Sequence, residues 1–177
     1  MIFQHHLAIF TLLASAAFAQ NSIKPWEITR LVASGAPYRG NLTCHDPLTT
    51  IAVEIQDTNE YPGLNSTGSR ATQCIVKSPY CSPPYHQSFN CTEVPYGTWT
   101  FSFFPSDEQA DLTYWSPGQS FVLAFRLLLR ERGVWYEGQA SFAVGENMRG
   151  LCSAGGVCSF RLKEELVPLY VNQTGAM

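Results

Sequence analysis

Charge is scarce in this sequence. Asp, Glu, Lys and Arg make up 14% of the 177 residues and sum to −3. That balance removes the electrostatic case for nucleic acid or an anionic membrane surface as a partner. Histidine is scarcer still: four occur, and His5 and His6 fall in a segment expected to be removed. No G-x-S-x-G elbow is present, since GQSFV at 118–122 fails at its last position. A C-x-x-C pair, a phosphate-cradling glycine loop and the histidine–cysteine spacing of a metal site are also missing. Neither a metal nor a cofactor is therefore expected. No apolar run reaches the ~20 residues that a spanning helix needs.

The apolar stretch that does exist is short. Residues 7–19, LAIFTLLASAAFA, close on Ala17-Phe18-Ala19, the small-residue cleavage pattern of a secretory signal. The lead-in departs from the pattern by carrying no Lys or Arg. Residues 1–19 are read as a signal peptide and 20–177 as one secreted β domain, its core about 25–165 and its C-terminal tail 166–177. The closing VPLYVNQTGAM has no hydrophobic tail for a GPI anchor and no ER-retention signal. The expected product is extracellular and free of the membrane once cleaved.

Export sets the cysteine chemistry. Cys44, Cys74, Cys81, Cys91, Cys152 and Cys158 are an even set in an oxidising compartment, which predicts full pairing. CSAGGVC at 152–158 reads as a hairpin turn stapled by Cys152–Cys158, with Gly155 and Gly156 supplying positive φ angles. Closing that loop restricts the unfolded chain by ~2.4 kcal/mol. Nesting suggests Cys74–Cys81 and Cys44–Cys91 for the others. Four N-x-S/T sequons, at Asn41, Asn65, Asn90 and Asn172, predict a glycoprotein.

The pattern along the chain is that of strands. Residues 98–103, TWTFSF, alternate strictly, with Trp99, Phe101 and Phe103 on one face. Residues 51–56 repeat this with Ile51, Val53 and Ile55, and 26–32 form a first strand led by Trp26. FVLAFRLLLR at 121–130 also suits a helix. The following ERG turn and the alternating run Val134, Tyr136, Ala140, Phe142 decide for a hairpin. A last strand covers 158–163, paired with 144–152 if that stretch is extended. Residues 57–70 and 78–97 read as loops, the second pinned by disulfides and barred from a central strand by its prolines. The fold class is all-β: a compact antiparallel β-barrel or β-sandwich with disulfide-pinned loops.

Candidates for chemistry are few, and no catalytic residue is assigned. His45 reads as a turn residue after Cys44, and His86 as part of a tyrosine-proline loop. Glu27, Glu54 and Glu137 fall on outward strand faces, and Asp107, Glu108 and Asp111 in a loop, with no pairing visible for glycoside hydrolysis. Arg126, Arg130 and Arg132 read as a solvated hairpin end. Trp115, Tyr80, Tyr85 and Tyr96 lie in predicted loops. Exposed rings there would stack on sugars or anchor a protein, whereas buried ones would close the ends of the sheets.

The layout resembles the fungal small secreted proteins similar to the Alternaria major allergen. A signal peptide, an early Trp26-Glu27-Ile28 strand, short alternating strands and the late Cys152 and Cys158 carry the resemblance, over roughly residues 25–165. It implies a compact β fold, no enzymatic chemistry and an effector-like or allergen-like role. The proline-tyrosine loop with Cys81 and Cys91, and the lack of a spare cysteine for a covalent dimer, depart from that family. The resulting expectation is a secreted, glycosylated, non-enzymatic binder of a host or cell-wall protein or glycan. A carbohydrate-binding module is the alternative, and a small hydrolase the next.

Overall fold

The computed structural model describes residues 23–35, 48–61, 70–79, 81–106 and 115–176. It is an all-β molecule of two antiparallel sheets packed face to face, not closed into a barrel. Of the two predicted architectures, the sandwich is the one formed.

The first sheet holds β1 (Trp26–Gly35), β2 (Leu48–Asp57), β3 (Arg70–Pro79), β8 (Met148–Cys152), β9 (Cys158–Leu162) and β10 (Leu169–Val171). Its order is β3-β2-β1-β9-β8, with β9 and β10 lying end to end along one side of β1. The second sheet is β11-β7-β6-β5-β4, made of β4 (Ser88–Asn90), β5 (Gly97–Pro105), β6 (Phe121–Leu129), β7 (Val134–Phe142) and β11 (Gln173–Ala176).

Period-two alternation builds the core. Ile51, Val53 and Ile55 of β2 face Trp99, Phe101 and Phe103 of β5 and the odd-numbered Phe121–Leu129 positions of β6, and all are buried. Trp26 and Trp99, one from each sheet, meet edge-on at 4.6 Å. Such ring pairs add ~0.5–1.5 kcal/mol beyond the area they bury. On β1 the register slips between Ile28 and Arg30, a bulge that turns both Ile28 and Leu31 inward. The predicted 121–130/134–142 hairpin is present. Gly133, at φ 63°, and a Gly133 N–H bond to the Leu129 carbonyl (3.0 Å) form its turn.

Several expectations are corrected here. The expected tail 166–177 is, over its described residues 166–176, no tail: β10 pairs β1 and β11 pairs β7, so this segment crosses from one sheet to the other through Asn172. Gly138 makes room for the crossing, because a Cβ there would lie 2.7 Å from the Asn172 carbonyl oxygen. The 78–97 loop contains β4, a three-residue edge strand seated between Pro84 and Pro95. Cys74 bonds Cys91, which overturns both nested pairings. Cys81 is disulfide-bonded as well. Cys152–Cys158 is formed as predicted, but of its two glycines only Gly156 has a positive φ (86°).

The Cys74–Cys91 bridge joins β3 to the residue after β4, the side of the sandwich opposite the β10–β11 crossing. Thr92 reinforces it. Its N–H donates to the Gln73 carbonyl at 2.8 Å, and its own carbonyl accepts from Thr72 Oγ1 at 2.6 Å.

One end of the sandwich carries a buried polar pair. Asp57 is 2% exposed and accepts from Tyr61 OH at 2.7 Å, Asn59 N at 2.9 Å and Asn59 Nδ2 at 2.7 Å. Burial, and then the Asp57 carboxylate beside it, push the Tyr61 hydroxyl far above the ordinary phenol range. An unfolded phenol ionises near 10.0, while the folded one keeps its proton. The folded state therefore binds more protons above that pH, and this contribution to stability, full below it, falls as pH rises. Tyr61→Phe is expected to cost about 1–2 kcal/mol near neutral pH, because Asp57 loses a buried donor. Urea melts should show that gap narrowing above pH 10.0; a constant gap would contradict the pairing.

Candidate functional site: an open hollow on the second sheet

Strand register decides which side chains share the outer face of the second sheet. Ser88, Ser102, Ala124 and Gln139 are direct neighbours across β4, β5, β6 and β7. The next row on this face is Asn90, Thr100, Arg126, Glu137 and Thr174, reaching β11. Most of these side chains are short, so the middle of the face is recessed below its surroundings. The result is a solvent-open hollow of about 730 Å³, inside the ~300–1,000 Å³ range of ligand sites.

The walls differ from the floor. Phe104 stands on one side, with the exposed His86 ring edge-on to it at 5.3 Å. Tyr170 of β10, 61% exposed, and Asn172 stand on the other, delivered by the crossing segment. The floor is hydroxyl-bearing: Ser88 Oγ and Ser102 Oγ lie 2.6 Å apart, beside Thr100.

Charge is balanced within the hollow. Arg126 Nε donates to Glu137 Oε1 at 2.7 Å, and its guanidinium lies 4.2 Å from the Trp135 ring centroid. Arg126 is thus a member of this face rather than of a hairpin end, while Arg130 pairs with Glu93 at 3.2 Å. Both partners of the Arg126–Glu137 pair are about half exposed, so the pair contributes little to stability. It holds the two groups in one orientation across the floor.

The predicted aromatic platform is corrected. Trp115 is 1% exposed, edge-on to Phe103 at 5.0 Å and to Phe121 at 5.9 Å, so it plugs the core. Tyr85 stacks on Phe103 at 4.9 Å, and Tyr96 packs against the core. Phe104 and Tyr170, which the sequence reading passed over, are the rings that face the hollow. Tyr80, Cys44, His45, Asn41, Asn65, Asp107, Glu108 and Asp111 lie outside the described residues. Of the sequons, Asn90 ends β4 and Asn172 lines the hollow, both exposed.

A second recess of about 500 Å³ lies against β8 and β9. Its Arg149 and Arg161 both reach Glu164, at 2.6 and 3.5 Å, so the two guanidiniums share one carboxylate. Among the described residues no group of three His, Cys, Asp or Glu side chains is placed to hold a metal ion. No protein-family model, curated protein or solved structure matches this chain.

Proposed function

We propose that this chain is an exported, disulfide-braced, N-glycosylated binding protein of the fungal effector or allergen type. It has no catalytic activity and engages a host or cell-surface partner through the hollow of the second sheet. The hollow is the observation that carries the reading: a concave face with a hydroxyl floor and two aromatic walls on a rigid sheet. The N-terminal apolar segment, the even cysteine set and the sequons support export. The lining supports binding over hydrolysis, because Glu137 is the one carboxylate in it and glycoside hydrolysis uses two.

Ala124 sits in the middle row, between Ser102 and Gln139, with its side chain outward. Ala124→Trp therefore fills the hollow without entering the core. Labelled wild-type protein is expected to be retained on intact host or fungal cell walls, and Ala124→Trp to lose at least about tenfold of that retention. Equal retention at unchanged circular dichroism would remove the hollow from the function.

A further inference from the structure

The chemistry of the hollow also specifies its ligand, given that the hollow is the recognition surface. We infer that it takes a neutral oligosaccharide chain supplied from outside the protein.

Four features converge on that class. Hydroxyl and amide side chains both donate and accept hydrogen bonds, and Ser88, Thr100, Ser102 and Gln139 set such groups across the floor. A sugar presents the same dual capacity at each hydroxyl. Phe104 and Tyr170 add apolar faces on opposite walls, matching the C–H faces of pyranose rings. The charged lining is one Arg126 and one Glu137, already bonded to each other. That pair leaves no net charge to select an anion or a cation, yet its free lone pairs and N–H groups remain available to neutral hydroxyls. Finally, the hollow is open to solvent rather than enclosed, so a chain can lie along it with its ends free. A hydroxyl-lined floor disfavours an apolar ligand, whose burial would leave those groups unpaired.

Asn172 stands on the lip beside Tyr170 and heads a sequon. Sugar attached there would sit at the lip of the hollow, so the test includes protein of unchanged sequence produced without N-glycans in the bacterial periplasm, where disulfides still form.

Soluble neutral hexaoses of the cello-, xylo-, manno- and chito- series are titrated against purified protein, with heparin as a polyanionic probe. At least one hexaose is expected to bind the glycosylated and the glycan-free protein alike. Phe104→Ala and Tyr170→Ala should each weaken binding by about tenfold, and heparin should not compete. Binding by the glycan-free protein alone would make the protein's own glycan the occupant and overturn the inference. So would heparin binding, or hexaose binding unaffected by Ala124→Trp. If no hexaose binds while Ala124→Trp still abolishes retention on cell walls, the ligand class falls and the recognition surface stands. If Ala124→Trp changes neither, both fall.

Discussion

Trp115→Ala is expected to lower the unfolding free energy by about 3–5 kcal/mol, the range for removing a buried aromatic side chain from a packed core. The ring belongs to a chain of aromatic contacts running from Phe103 through Phe121 to Phe142. Deleting it opens a space bounded by Phe103 and Phe121, both rigidly placed on strands, so the site has little freedom to collapse. Trp115→Phe should recover a substantial part of the loss, because most of the edge-on packing survives. Urea denaturation under non-reducing conditions reads both variants. A cost under about 1 kcal/mol for the alanine variant would place the ring on the surface, where the sequence alone left room for it.

The second large effect is covalent. Removing the Cys74–Cys91 bridge as the double alanine variant is expected to cost about 3 kcal/mol, from the loop-closure entropy of a 17-residue separation. Removing Cys152–Cys158, with a separation of 6, should cost less. Position widens the difference. Cys74 and Cys91 are buried between the two sheets, whereas Cys152 is exposed on an edge strand and its bridge closes a single hairpin. The first variant should also loosen β3 and β4 together, seen as faster amide exchange on both strands, while the second leaves them protected. Equal costs for the two double variants would mean that the first bridge does not join the sheets.

The β5 pattern was legible because Trp99, Phe101 and Phe103 point inward while Thr98, Thr100 and Ser102 point outward, the condition under which periodicity speaks for itself. β6, with Val122 and Leu128 outward, needed the turn and the alternating run that follow it. β3 was hidden for the opposite reason. Its inward positions include Thr72 and Ser78, and its outward Ile75 is exposed, which blurs the alternation. β10 and β11 are three and four residues long, too short for any period, and exist because β1 and β7 offer them edges. Disulfide partners were out of reach likewise. Nesting in sequence says nothing about which strands lie across the gap between two sheets.

The sequence by itself determined the strand-rich class, the inward faces of β2, β5 and β6, the hairpin after Leu129 and the Cys152–Cys158 staple. Each of these follows from residues close along the chain. Only the tertiary structure decided that the molecule is an open sandwich, that Trp115 is core, and that Ser88, Ser102, Ala124 and Gln139 share one floor. Those four come from four strands, and each alone is a small or polar residue of the kind found on any solvated face. Long-range register, set by the packing of large side chains on the other side of the same sheet, is what turns them into a site.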